Sequence, residues 1–237
     1  MRIIAHRSGP TVYPEQTITS AKFALYCGAD MAEVDVRYTK DKVIVASHDA
    51  NVMRVFGVDR LVSDMTAEEF LALRHSVDNS FCSHLFEHYL KADVCPLLIH
   101  VKENEVIPEL LEMLKKYDRL DTTVLGVMDD KVIPQIKAFS DKLKVLAFMP
   151  KVENIKAYAE AGADYIRLWQ HWVNDESVAE VRKYPVELWI MTGVTGKGDD
   201  FVGVSTEEGL NQLLDIGVEG ILINDVGVLQ EVLEKRK

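Results

Sequence analysis

The chain alternates short runs rich in β-branched residues with longer amphipathic segments, and this alternation restricts the fold more than any other feature. Four successive strand-like runs have an apolar residue at a comparable position: Val124, Val145, Tyr165 and Val186. These positions are 21, 20 and 21 residues apart. Two parallel strands need a connection of a dozen or more residues, and a helix usually fills it. The spacing therefore predicts an α/β fold with parallel strands and right-handed crossovers.

The strand-like runs outnumber the eight strands of a closed barrel. They cover residues 3–6, 31–37, 43–47, 97–102, 123–127, 144–149, 165–169, 186–191 and 220–223, with helical patterns at 18–27, 106–117, 152–161 and 206–216. Glycines 28, 162 and 217 follow helical patterns, where a C′ glycine ends a helix. At 237 residues, the chain has the length of one (β/α)₈ TIM barrel.

A doubly wound open sheet is the alternative architecture, but the chain lacks the GxGxxG phosphate-binding loop of that fold. The glycine-rich run at 192–198 lacks the spacing of a Walker A motif, so it predicts a plain loop.

One extra strand has a physical explanation. Only five residues separate the second and third runs, too few for a parallel crossover, so these two runs are predicted to form an antiparallel hairpin. If Thr39 pairs with Lys42 across the turn, Asp35 lies opposite Ala46 and Glu33 lies opposite His48.

The hairpin also predicts a candidate cation site. Glu33 and Asp35 share one face of their strand because side chains alternate with period two. Neighbouring carboxylates repel each other unless a proton or a cation lies between them, and a divalent cation with oxygen ligands fits this pair. The alternative is a solvated acidic face on an edge strand.

Histidines accompany these carboxylates. His6 ends the first strand, and the carboxyl ends of barrel strands form the catalytic face of a TIM barrel. His6 and His48 could divide the work of a proton acceptor and a proton donor. His100 and Lys102 point to one face of a later strand, where Lys102 is a candidate cation for phosphate.

Composition limits the partners. With 27 Lys and Arg against 38 Asp and Glu, the formal net charge of −11 argues against a nucleic-acid partner and against a basic membrane-surface protein. No apolar run approaches the ~20 residues of a membrane span, which predicts no stable membrane insertion. The start of the chain lacks a signal-peptide pattern, and its three cysteines form no CxxC pair, so a reduced cytoplasmic protein is expected.

The ordered motifs resemble the glycerophosphodiester phosphodiesterase family. They are HRSG at 6–9, YPEQT at 13–17, EVDV at 33–36, TKD at 39–41, and HD at 48–49 followed by Arg54. The resemblance is dense over residues 1–54 and looser through 97–102, 188–190 and 217–221.

The resemblance implies a distorted TIM barrel in a single domain, residues 1–237, with a small insertion after the third strand at about 50–95. It implies hydrolysis of a small-molecule glycerophosphodiester to an alcohol and glycerol 3-phosphate, with a divalent metal, Mg²⁺ or Ca²⁺. The family's catalytic histidines match His6 and His48, and the family's phosphate-binding cations match Arg7 and Lys102.

The family's metal ligands match Glu33 and Asp35, with Glu15 as a further candidate carboxylate. Trp189 matches the family's aromatic strand position, either as a substrate-binding wall of the pocket or as barrel core.

The main departure from the family pattern is His100, which occupies the place of a third carboxylate ligand. Imidazole suits Mn²⁺ or Zn²⁺ better than Mg²⁺ or Ca²⁺. Three interpretations follow: a changed metal preference, a ligand supplied instead by Glu15, Glu103 or water, or weakened catalysis. Two other functions therefore stay open: a related barrel phosphodiesterase for lysophospholipid or sphingolipid headgroups, and a binding module without turnover.

Overall fold

The computed structural model describes residues 1–194 and 201–237, and its strands form one sheet. The strands are β1 (Arg2–Ala5), β2 (Met31–Tyr38), β3 (Ile44–Ala46), β4 (Leu97–Val101), β5 (Thr123–Val127), β6 (Lys144–Ala147), β7 (Tyr165–Trp169), β8 (Glu187–Met191) and β9 (Gly220–Ile223). The pairing order is β1-β9-β8-β7-β6-β5-β4-β2-β3, and β1 also pairs with β2. This last pairing closes eight parallel strands into the predicted (β/α)₈ barrel, and β3 lies outside the ring.

Helices fill the crossovers on the outside of the barrel. They are α1 (Ile18–Tyr26), α2 (Met53–Phe56), α3 (Ala67–Leu71), α4 (Phe86–Lys91), α5 (Ile107–Lys116), α6 (Ile133–Phe139), α7 (Ile155–Ala161), α8 (Asp175–Val181), α9 (Glu207–Ile216) and α10 (Val226–Lys235). Gly162 and Gly217 end α7 and α9 in the left-handed conformation, and Gly28 has φ +94° just after α1, as predicted for these glycines. In the described ranges, no helix has the length and apolar character needed to cross a bilayer.

The segment between β3 and β4 forms the insertion. It contains α2, α3 and α4. Phe70, Met65 and Val62 lie in a small apolar cluster of their own, whereas the buried apolar side chains of α4 belong to the main core around the barrel. Val45 of β3 joins this cluster, so the hairpin strand links the insertion to the barrel. Of the glycine-rich run at 192–198, residues 195–198 lie outside the described ranges.

The hairpin between β2 and β3 is confirmed, but the predicted register was wrong by one residue. Val36 pairs with Ala46 and Tyr38 with Ile44. The predicted two-residue turn is a three-residue loop, in which Lys42 takes a left-handed φ of +61° and the Thr39 amide donates to the Val43 carbonyl. A left-handed residue at the end of the loop is the usual form of three-residue hairpins.

The spacing of about 20 residues between successive strands correctly predicted the strand–helix crossovers. It does not predict whether a side chain points into the barrel or outward. Val124 and Tyr165 belong to the cluster inside the barrel, whereas Val145 packs outward against the helices.

The lower part of the barrel is filled by a stack of large side chains. The rings of Tyr165 and Trp189 stack at 4.4 Å between centroids, and the Arg2 guanidinium lies 5.6 Å from the Tyr165 centroid. Gly220 of the neighbouring strand makes room for the indole, because a Cβ there would lie 2.6 Å from the Trp189 ring. This stack does not extend to the other end of the barrel, where a cavity opens.

We expect Gly220→Ala to lower the free energy of unfolding by about 1–3 kcal/mol, the usual cost of overpacking a core. Gly217→Ala is the matched control, because its φ of +74° strains alanine but no atom lies within 4 Å of the added Cβ. That strain costs about 1 kcal/mol. Urea titration of both variants measures the difference. A free energy of unfolding for Gly220→Ala equal to that of the wild type would show that the Trp189 ring moves aside without cost.

Candidate active site

A cavity of about 550 Å³ opens at the carboxyl ends of the barrel strands. Its lining residues are His6, Arg7, Glu33, His48, His100, Lys102, Met128, Phe148, Met149, Pro150, Arg167, Trp169, Trp172, Met191 and Val202. Most of the polar members follow β1 or β3, lie on β2, or lie on and just after β4. The apolar members come from the part of the chain after β5. The cavity therefore has a polar half and an apolar half.

The two predicted carboxylates lie buried at the polar half. Glu33 is 1% exposed and Asp35 is fully buried, so the alternative of a solvated acidic face is wrong. Gln16 holds Asp35 with both ends of its amide: Nε2 donates to Oδ2 at 2.6 Å, and Oε1 accepts from the Asp35 amide at 3.1 Å. The backbone amide of Arg7 donates to Glu33 Oε2 at 2.5 Å.

His100 and Lys102 come from the adjacent strand. Asp35 and His100 pair across β2 and β4, which places the imidazole Nδ1 3.0 Å from Asp35 Oδ1. The Lys102 ammonium forms an ion pair with the same oxygen at 2.8 Å. Burial alone would raise the pKa of Asp35, but Lys102 and the two nearby histidines hold it well below its usual range. Burial and the charge of Asp35 raise the pKa of Glu33.

These side chains also fit a metal ion. One ligand atom each of Glu33, Asp35 and His100 lies within 4.8 Å of the others, a spacing that one ion can bridge. Asp35 Oδ1 and His100 Nε2 are buried and lack a hydrogen bond with good geometry within the described ranges. Two carboxylate oxygens and an imidazole nitrogen are ordinary ligands of a divalent cation.

Packing sets the orientation of His100. Its ring stacks on Phe148 with 3.9 Å between centroids and an interplanar angle of 14°. The Phe148 ring reaches His100 across β5, where a Cβ on Gly126 would lie 2.2 Å from it. Gly126 therefore leaves the space that lets an aromatic side chain just after β6 support a side chain of β4.

The turn after β1 brings Arg7 into the site. Arg7 and Ser8 have φ values of +49° and +71°, a left-handed backbone that costs non-glycine residues energy. This conformation aims the Arg7 amide at Glu33, and its guanidinium donates from Nη2 to His48 Nε2 at 3.0 Å. The Ser8 hydroxyl donates to the Glu33 carbonyl at 3.1 Å.

His48 reaches the cavity by a route that differs from the predicted cross-strand pairing. It follows the end of β3 and is held by Asp49, whose Oδ1 lies 2.6 Å from Nδ1. Because arginine can only donate, the contact with Arg7 makes Nε2 an acceptor and places the ring proton on Nδ1, facing Asp49.

His6 has a different environment. Its Nδ1 lies 2.7 Å from Asn224 Oδ1, and the Asn224 amide donates to the Val202 carbonyl, which orients Oδ1 toward the ring as an acceptor. Burial, reinforced by the charge of Arg7, lowers the pKa of His6 to about 3, so this ring is neutral near pH 7. Sequence reasoning assigned no role to Asn224.

Glu15 and Glu103 lie apart from the three clustered ligands. Arg54 binds Glu15 through two hydrogen bonds of 2.7 Å and contacts Asp49 Oδ2 at 2.6 Å. Glu103 pairs with Arg37 at 3.2 Å. Glu15 therefore acts here as a partner of Arg54, which links the YPEQT motif to the HD motif.

Trp189 does not line the cavity. It is fully buried in the stack at the lower end of the barrel, which agrees with the barrel-core alternative and corrects its assignment as a substrate-binding wall. Met191, two residues further along the same face of β8, lines the cavity instead. Sequence reasoning also missed Arg167, although its parity with Tyr165 on β7 places both inside the barrel.

Comparison with known proteins identifies a family for the chain. A model of the Glycerophosphoryl diester phosphodiesterase family matches residues 6–194. A glycerophosphodiester phosphodiesterase of Caldanaerobacter subterraneus subsp. tengcongensis is 26% identical over 248 residues, with 98% of each chain covered. A lysophospholipase D of Mus musculus is 28% identical over 166 residues, which cover 64% of this chain and 52% of that relative. The chain thus spans about half the length of this mammalian relative.

Solved structures share the fold. A glycerophosphodiester phosphodiesterase from Agrobacterium tumefaciens superposes with a TM-score of 0.78 at 18% identity, with 99% of each chain covered. A phosphodiesterase from Oleispira antarctica, in complex with the product sn-glycerol-3-phosphate, superposes with a TM-score of 0.82 at 16% identity, covering 99% of this chain and 97% of that one. Because the family model spans most of the sequence, from His6 through all but one of the cavity-lining residues, this chain belongs to the glycerophosphoryl diester phosphodiesterase family.

Proposed function

We propose that the chain is a metal-dependent phosphodiesterase that hydrolyses a glycerophosphodiester to an alcohol and glycerol 3-phosphate. One observation carries the proposal: a buried cluster of Glu33, Asp35 and His100 lies in the same cavity as His6 and His48. Family membership supports it, as does the fold shared with a phosphodiesterase whose structure contains sn-glycerol-3-phosphate.

Glu33, Asp35 and His100 would hold the metal. When bound, a divalent ion would neutralise charge on the phosphate oxygens during the reaction. The imidazole ligand favours Mn²⁺ or Zn²⁺, although the family's Mg²⁺ or Ca²⁺ stays a candidate. Arg7 and Lys102 line the same side of the cavity and would bind the remaining phosphate oxygens.

The histidines would divide proton transfer according to their partners. His48 presents an unprotonated Nε2, and the Asp49 carboxylate stabilises the imidazolium that forms when this nitrogen takes a proton from the attacking hydroxyl or water. His6 is neutral in the free protein. The negative charge of a bound phosphodiester favours its protonated form, which would donate to the leaving oxygen.

We expect Asp49→Asn to lower kcat by about 10²- to 10⁴-fold with little change in KM, the range of general acid–base effects. The reason is that the amide no longer stabilises the His48 imidazolium. The assay measures release of glycerol 3-phosphate from glycerophosphoglycerol. Asp141→Asn makes the same chemical change at an exposed position before β6 and serves as the matched control. Full kcat in Asp49→Asn would eliminate His48 as the base.

Metal dependence is tested by binding as well as by turnover. EDTA should abolish release of glycerol 3-phosphate, and Mn²⁺ or Zn²⁺ should restore it better than Mg²⁺. Glu33→Gln should weaken Mn²⁺ binding, measured by calorimetry, by at least about 100-fold because it removes a ligand charge.

Two variants sharpen this test. Glu15→Gln removes a carboxylate that pairs with Arg54 and should affect Mn²⁺ affinity much less than Glu33→Gln. His100→Glu should shift the preference toward Mg²⁺ or Ca²⁺. Unchanged Mn²⁺ binding in Glu33→Gln, or turnover in EDTA that equals turnover with metal, would contradict the proposed metal site.

A second candidate substrate is a lysophospholipid, and the apolar half of the cavity favours it. Met128, Met149 and Trp172 would contact an acyl chain better than they would contact water. Side-by-side assays with lysophosphatidylcholine and glycerophosphocholine separate the two substrate classes.

A further inference from the structure

Arg167 is the exception in the apolar half of the cavity. It lies on β7 with 4% of its surface exposed and lines the cavity with Trp169, Phe148 and Met191. Among the described lining residues that follow β5, it is the charged one. The mechanism proposed above does not use it.

Its charge has no carboxylate partner in the described parts of the chain. Nε and Nη1 are buried and have no hydrogen-bond acceptor there. Burial lowers the pKa of Arg167 to about 9, which leaves it charged at neutral pH. Burying an uncompensated charge is unfavourable, and a bound anion would offset that cost.

Aromatic rings hold the guanidinium in place. Its Cζ lies 4.5 Å from the Trp169 ring centroid and 4.9 Å from that of Phe148. Phe148 is also the ring that stacks on His100, so one aromatic side chain connects this position to the candidate metal ligands. A preorganised arginine of this kind suits bidentate binding of an oxyanion.

We propose that Arg167 binds an oxyanion, a phosphate or carboxylate, on the alcohol that leaves the phosphodiester. The inference rests on the proposed function, because Arg7 and Lys102 are assigned there to the scissile phosphate and Arg167 provides a second anion position. Two aromatic faces that could hold a quaternary ammonium group already carry the guanidinium. The site therefore selects an anionic leaving group over choline.

Three substrates with leaving groups of different charge test this selection: glycerophosphoinositol 4-phosphate, glycerophosphoinositol and glycerophosphocholine. The wild type should show its highest kcat/KM on the first and its lowest on the last. Arg167→Gln should lower kcat/KM for glycerophosphoinositol 4-phosphate by about 10- to 100-fold, as expected for loss of a hydrogen bond to a charged group. Its effect on glycerophosphoinositol should be much smaller. Arg167→Lys should recover part of the loss, because it keeps the charge without the planar fork.

Arg182→Gln is the matched control. Arg182 follows α8 and pairs with the exposed Glu219, so the same substitution there should leave the order of the three substrates unchanged. A thermal melt of each variant verifies folding. A similar loss on all three substrates in Arg167→Gln would assign Arg167 a structural role, and a wild-type preference for glycerophosphocholine would overturn the proposal.

A binding measurement separates this inference from the proposed function. Inositol 4-phosphate is titrated calorimetrically into the full chain, in the wild type and in Arg167→Gln. Mn²⁺ and saturating glycerol 3-phosphate are present, so that the position of the scissile phosphate is already filled. If no substrate turns over with any metal, the proposed function fails, yet weaker binding in Arg167→Gln still supports the anion site. Equal binding in the two proteins would refute that site, whatever the turnover.

Discussion

Two carboxylates buried side by side in the middle of β2 determine which groups must surround them in the rest of the site. Glu33 and Asp35 are almost fully buried, and ionised groups leave water at a large cost unless partners compensate them. Gln16 holds Asp35 through its amide, and Lys102 adds an ammonium. The left-handed turn at Arg7 brings a backbone N–H to the Glu33 carboxylate. This hydrogen bond to a buried acid offsets part of the cost of the strained backbone.

The same compensation explains how an acidic chain can bind a phosphodiester. The net charge of −11 describes the whole surface, whereas three of the cations, Arg7, Lys102 and Arg167, line one cavity. Two of them stand next to acids and would turn toward phosphate together with a metal ion. Among the described residues, the third has aromatic neighbours in place of an acid. In the part of the chain that the structure describes, the cavity thus combines a neutralised polar half with one uncompensated positive charge opposite it.

Patterns among residues close in sequence were enough to predict much of the fold and part of the candidate site. Strand–helix alternation, the helix-ending glycines and the short link between β2 and β3 depend on neighbours in sequence, and each gave the correct element. Period-two alternation likewise placed Glu33 with Asp35, and His100 with Lys102. The hairpin register failed because one residue, Lys42, adopts a left-handed conformation that its side chain does not signal. His48 consequently reaches the site through Asp49 and Arg7.

The features that the sequence did not predict depend on contacts that form only when the barrel closes. Arg167 lies in a strand whose sequence is typical of buried β structure. Only the ring of strands shows that its partners are Trp169 and Phe148, the residue that follows β6. Gly126 looks like a weak point in β5 until the Phe148 ring is seen to cross it and support His100. Trp189 shares its inward face with Met191, and height along the barrel axis alone decides that one fills the core and the other meets the cavity. Alternation along a strand predicts which side chains point into the barrel. Whether an inward side chain fills the core or lines the cavity depends on its height along the barrel axis, and the neighbouring strands determine that height.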